Sequence, residues 1–225
     1  MQRFLLRCGV AAPIIYVVTV LLGGLITPDY SHVSQAISEL TATGAPHKLL
    51  LDIGFFSYNV AALLFAVGLL WRLWRYRRRQ LAVGAVLLAG VALSGLLMYF
   101  APMDLLDGPV TLAGQLHMAL AAACSLLTIL ATLVTGLGFR GLHGWRAMGI
   151  YSVLSAGVIV VTGAMAAVGA AMGSPVLGIY ERLTIGTFML WMLVLALVAG
   201  WLVPQAQTPA EPQVPEGEPK EEQSV

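Results

Sequence analysis

Trp71-Arg72-Leu73-Trp74-Arg75-Tyr76-Arg77-Arg78-Arg79 is the stretch that decides how this chain folds. It sets five arginines among three interfacial aromatics, between runs 53–71 and 80–103 that carry no charge. Each run holds a helix of ~20 residues, enough to cross a bilayer core. Arginines with Trp and Tyr at the end of such a run mark the inner face of a membrane. Four more uncharged runs lie outward from this point, at 8–28, 108–139, 147–180 and 183–210.

The segments between the runs alternate in sign. Arg3 and Arg7, the cluster at 72–79, and Arg140 with Arg146 fall on one side. Asp29, Glu39, Lys48 and Asp52, then Asp104 and Asp107, then Glu181 and Arg182 fall on the other. Nine arginines on one side face only Lys48 and Arg182 on the other. That asymmetry predicts a multi-pass cell-membrane protein with both termini in the cytoplasm. The expected class is all-α: six transmembrane helices in one bundle, near 8–27, 49–70, 81–100, 111–137, 147–172 and 182–203.

Composition agrees. The 225 residues are 59% hydrophobic and only 10% charged, where a soluble domain is about a quarter charged. A net charge of +1 gives no reason to expect a nucleic-acid partner. The basic cluster is read instead as an orientation signal that touches anionic membrane lipids. Cys8 and Cys124 fall at different depths, which argues against a disulfide. Cys8 follows Arg7 with no apolar leader, unlike a lipoprotein cysteine. The first run is long for a signal peptide core, so it reads as a retained helix. Residues 1–203 form the expected transmembrane domain. Residues 204–225, acidic and proline-rich, are expected to be a disordered cytoplasmic tail.

The first outer loop is unlike a linker. Val33, Ala36, Ile37 and Leu40 recur at helical spacing over 31–41, with Ser31, Ser34, Gln35 and Ser38 opposite. That predicts a short amphipathic helix, capped by Asp29 or Ser31. Alanines in span four and small residues four apart in span five, Thr162, Ala166 and Ala170, point to close helix contact and a central place for both spans.

Candidate functional residues gather at the acidic end: His32, Ser38, Glu39, Asp52, Asp104, His117, Glu181 and Arg182. His117 sits ~9 Å below the expected start of its helix. An ionisable group at that depth faces protein or water, either as a site residue or as a neutral imidazole bonded to a neighbouring helix. Asp52 and Asn59 share a face of span two. Arg182 is either a bridge to Asp104 or Asp107, or a planar fork for an anionic group. His32, His117 and Asp52 are candidate zinc ligands by residue type, although no compact H-x-x-x-H spacing exists. No G-x-S-x-G supports a serine nucleophile.

The loop Asp29-Tyr30-Ser31-His32-Val33-Ser34-Gln35-Ala36-Ile37-Ser38-Glu39-Leu40, Met103-Asp104, Gly114-Gln115-Leu116-His117 and Glu181-Arg182 together resemble the bacterial and archaeal domain of unknown function 998 family. The likeness runs over roughly 10–203. One departure is that Leu105-Leu106 follows Asp104 where a proline is expected. The resemblance implies a six-helix membrane protein and no established activity. Three functions remain open: binding a lipid headgroup or small solute in an outward-facing polar pocket, metal-dependent lipid hydrolysis within the membrane, and a structural or regulatory role without a ligand. Enzymatic activity stays undecided at this point.

Overall fold

A computed structural model describes residues 1–75, 78–105 and 108–200. Six long helices appear: α1 (Gln2–Ile26), α2 (Lys48–Arg75), α3 (Arg79–Met98), α4 (Leu112–Arg140), α5 (Arg146–Met172) and α6 (Leu177–Ala199). All six are long and apolar enough to span a membrane. Each packs on the next in sequence, and α6 returns to α1, so the helices close into a ring. Short connections force antiparallel neighbours and leave two ends. One end carries Arg72, Arg140 and Arg146. The other carries the loops 27–47 and 99–111 and the turn into α6.

At the arginine end the ring is filled by large side chains. Phe65, Leu88, Phe139, Ile159, Trp191, Met192 and Leu195 are buried almost completely. In lipid the drive for this packing is close contact rather than release of water, which favours small residues where backbones meet. Gly9 shows the effect: a Cβ there would lie 2.5 Å from the Phe65 ring. Gly136 likewise lies against Ser152 and Val153. Trp191 donates its indole N–H to Ser152 Oγ at 3.0 Å, which satisfies the one polar atom of a fully buried ring.

Spans four and five are not the centre that their small residues suggested. Only 22% of the best span window in α4 and 28% in α5 is enclosed, against 44% in α2 and in α3. The small residues of α5 lie largely on its open side, and aromatic side chains from α2 and α6 fill the ring instead.

The expected short helix in the first outer loop is present, but as a 3₁₀ turn over Ile37–Thr41 with Ile37 and Leu40 buried. Residues 31–36 are turns. Side chains take the backbone groups that an α-helix needs. Gln35 Oε1 accepts from Ser31 N at 2.7 Å, Ser31 Oγ accepts from Val33 and Ser34, and Glu39 accepts from Ala36 N at 2.8 Å. Asp29 caps nothing; it turns the chain in the left-handed region with φ 57°. Asp107 and the tail 204–225 fall outside the described residues.

Candidate functional site at the acidic end

The start of α6 clamps the first loop. Arg182 donates from Nη1 to the Gln35 and Gly178 carbonyls, both at 2.9 Å. From Nη2 it donates to the Tyr30 hydroxyl at 2.6 Å, and from Nε to His32 Nδ1 at 3.2 Å. The planar fork suits four directed bonds in a way an ammonium group does not. Beside it, Glu181 Oε2 accepts from Ile37 N at 2.7 Å. Ile179 N adds a bond to the Val33 carbonyl at 3.2 Å. Two glycines make the approach possible. A Cβ on Gly178 would stand 2.6 Å from the His32 and Gln35 carbonyl oxygens, and one on Gly24 of α1 would collide with the His32 imidazole.

Charge states follow from this geometry. His32 Nδ1 accepts from a guanidinium, so the ring is neutral with its proton on Nε2. Burial, and then the charge of Arg182, lower its pKa below the ordinary histidine value. Burial pushes the Tyr30 phenol up to about 12, against the pull of Arg182. Tyr30 therefore stays protonated and donates to the Ala36 carbonyl at 2.8 Å.

The other candidates lie elsewhere. Asp104 caps the N-terminus of α4 through Thr111, accepting from its hydroxyl at 2.6 Å and its N–H at 2.8 Å. Those two bonds lower the Asp104 pKa. An open cavity of about 390 Å³ lies here, lined by Met103, Asp104, Val110, Gly114, Gln115 and Met118. Ser38 Oγ reaches Met103 Sδ at 3.1 Å and Thr43 N donates to the Met103 carbonyl, so the loop also touches this corner. His117 is buried, and its Nδ1 lies 2.9 Å from the Ala101 carbonyl. The carbonyl can only accept, so Nδ1 carries the proton and holds the segment after α3. Asp52 pairs with Lys48 one turn away at 2.7 Å. Asn59, on the same face, turns back to the Phe55 carbonyl at 2.9 Å, against Gly95 of α3.

The structure thus brings His32, Glu39, Glu181 and Arg182 together. It leaves Asp104 with His117 in a second group and Asp52 in a third. His117, Asp52 and Arg182 each hold a partner close by: the Ala101 carbonyl, Lys48 and the first loop. The zinc candidates His32, His117 and Asp52 do not gather into one group. Among the described residues no three His, Cys, Asp or Glu side chains group in a way that suits a metal. Arg182 bridges to the loop and not to Asp104.

Two interior residues escaped the sequence reading. Tyr16 of α1 stacks edge-on against Tyr58 and Phe55 of α2, with centroids 4.9 and 5.4 Å apart. Glu181, Tyr58, Cys124 and Arg182 lie in its neighbourhood. Neither tyrosine hydroxyl has a hydrogen-bond partner among the described residues, nor does the second oxygen of Glu181. Thr27 Oγ1 and Tyr151 OH are the sealed and unbonded side-chain atoms there, so the Tyr16 and Tyr58 hydroxyls keep an opening. A mid-span position ten residues from the acidic end was the available signal, since tyrosine ordinarily favours the interface.

Comparison with known proteins gives one positive result. The family model for the protein of unknown function DUF998 matches residues 10–198, most of the chain. The chain belongs to that family, as the motifs at 29–40, 103–104, 114–117 and 181–182 implied. No curated protein and no solved structure matches it.

Proposed function

We propose that this member of the DUF998 family is a cell-membrane protein that holds a small polar head group or solute beneath its first outer loop. The observation that supports this is the unspent hydrogen-bonding capacity of Tyr16, Tyr58 and Glu181 under a pinned loop. Tyr58 is 6% exposed and its hydroxyl bonds to nothing in the described chain. The hydroxyl keeps an opening, so its donor and acceptor positions are open to an incoming polar group. A ligand that bonds these groups uses capacity the chain itself leaves unspent. Arg182 is not the binding group in this reading; its donors already serve the loop.

The arginine end faces the cytoplasm in this proposal, with both termini and the 204–225 tail there. Cysteines placed in 28–46 should react with impermeant maleimide from outside sealed cells, and cysteines placed at 78–79 should not. The reverse pattern overturns the orientation. For the site, purified parent protein should carry a small molecule or lipid that Tyr58→Phe and Glu181→Gln both release. Identical bound material in all three proteins would sink the reading.

A structural role is the second reading. It is favoured by one observation: His117, Asp52 and Arg182 all have partners within the chain. Substitutions there would then lower stability and change no bound species.

A further inference from the structure

The packing of α4 on α5 changes along its length. Near the arginine end the two interlock, with Gly136 against Ser152 and Val153, and Gly149 against Arg140. Stepping along α4 from Gly136 on the same side leads to Ser125, Ala122 and Met118. All three are exposed. Stepping along α5 from Val153 leads to Gly157, Val160, Ala164 and Ala167, and all four are exposed too. A Cβ on Gly157 would meet nothing within 4 Å. The sides that touch in one half of the membrane are therefore parted in the other. α5 stays with α6 over this length, through Thr184 Oγ1 and Thr162 Oγ1 at 2.8 Å. α4 stays with α3, through Leu127 over Gly90 and Cys124 Sγ towards the Val91 carbonyl. The opening lies between the two pairs. Cys124 is on α4 behind it; Tyr16 and Tyr58 lie near Cys124, and Tyr16 in turn lies near Glu181.

We infer that this parting is a side entrance for a membrane lipid whose head group carries a primary ammonium. The inference rests on the head-group reading above and adds the ligand class and its route. Three features fit. The walls of the entrance are uncharged and mostly apolar, and the Ser125 hydroxyl is spent on the Ala121 carbonyl, so an acyl chain can lie between them. Glu181 offers an unspent carboxylate oxygen ~6 Å below the start of α6, the depth of a head group. A carboxylate accepts from an ammonium in a short, charge-assisted bond, and it has no such bond to give a quaternary amine. Tyr16 and Tyr58, deeper by about two turns, are hydroxyl donors for the ester carbonyls that follow a head group into the membrane. Arg182 stands beside Glu181 with three of its bonds to the loop and one to its own helix, and none to the carboxylate.

The test uses the full chain in nanodiscs made of equal phosphatidylethanolamine and phosphatidylcholine, and reads the lipids retained after release by native mass spectrometry. The two lipids differ in head-group donors and share charge and chains. The parent protein should select phosphatidylethanolamine on the order of tenfold, the worth of one charged hydrogen bond. Glu181→Gln should erase that selection. Ala122→Phe and Ala164→Phe, which fill the entrance, should retain several-fold less lipid, while Leu116→Phe, exposed on another flank of α4, should change nothing. A chain-borne diazirine lipid should label 118–125 and 157–167 in the unmodified protein. If the filled variants retain lipid as the parent does, or the label falls on other helices, the side entrance is overturned, and the loss in Glu181→Gln leaves the head-group reading standing. If the parent shows no selection and instead binds ethanolamine from solution, the ligand is a solute and the lipid is overturned. If it binds neither, both readings fall.

Discussion

The two ends of the ring are held by different forces. At the arginine end, large apolar side chains meet over glycine notches, and each helix can be placed from its own sequence. At the acidic end, charged and polar side chains pin a loop that has little secondary structure of its own. The apolar end is a sum of many small contacts and yields gradually to change. The polar end depends on a few directed bonds that share the same residues, chiefly Arg182. Changes there should act locally and sharply, with the membrane-spanning core left in place.

The largest expected effect tests the apolar end. Trp191→Ala empties a site that is completely buried and strips Ser152 Oγ of its indole donor. Loss of a large aromatic from a packed interior costs about 3–5 kcal/mol. The melting temperature in detergent should drop by many degrees, with all probes falling together. Trp191→Phe should recover most of the loss. A small drop would mean that Trp191 does not hold the interior together.

Next comes the clamp. Arg182→Lys keeps the charge and loses the fork, so at most one or two of its four bonds survive. Ordinary hydrogen bonds contribute ~1 kcal/mol each, which puts the loss at roughly 1–3 kcal/mol. Hydrogen exchange should quicken over 30–40 and stay unchanged in α3 and α5. A uniform increase through all helices would erase the distinction between the two ends. Gly24→Val is a companion change: its side chain collides with the His32 ring and should release the same segment without touching Arg182.

Much of this was legible in advance, for a physical reason. A lipid solvent makes apolar length and the sign of flanking charge nearly sufficient to place six helices, and Arg72, Arg140 and Arg146 marked one end correctly. The central position given to spans four and five was wrong, because small residues suit any close surface and do not say which face is covered. In the loop, the spacing of Ile37 and Leu40 gave the short helix its buried side. Its length was misjudged, because Glu181 and Arg182 lie more than 140 residues away in sequence and draw off the backbone groups of 35–37. His117, Asp52 and Arg182 were rightly placed near one end. Which of them meet depends on helix order around the ring, and no residue type encodes that.

A smaller effect separates the ends by pH. The His32 pKa is lowered in the fold, so the unfolded chain binds a proton more readily. Stability linked to His32 is therefore full above about 6.5, the unfolded value, and declines as pH falls through it. A protonated ring also presents a donor to the Arg182 Nε–H and loses that bond. Protection against hydrogen exchange over 30–40, relative to the free-peptide rate at each pH, should fall between pH 7 and 5, and His32→Gln should flatten the trend. Equal acid sensitivity in the parent and His32→Gln would move the cause to a carboxylate.

The smallest expected effect lies at the other corner of the acidic end. Asp104 is hydrogen-bonded by Thr111 but open to water, so solvent screens what it contributes. Asp104→Asn keeps one acceptor for the Thr111 N–H and removes a charge from the start of α4. Thr111 Oγ1 still accepts from Gly114 N at 3.1 Å and caps the helix by itself. Exchange should therefore quicken only in the first turn of α4, over 112–115, with the melting temperature unmoved. Asp104→Ala should add little to this, since Thr111 remains. Thr111→Val should do more than either, because it removes the cap and one of the two donors that hold Asp104. If Asp104→Asn instead loosens 30–40, then the Ser38 and Thr43 contacts to Met103 couple the two corners, and the acidic end works as one unit rather than as a clamp and a cap side by side.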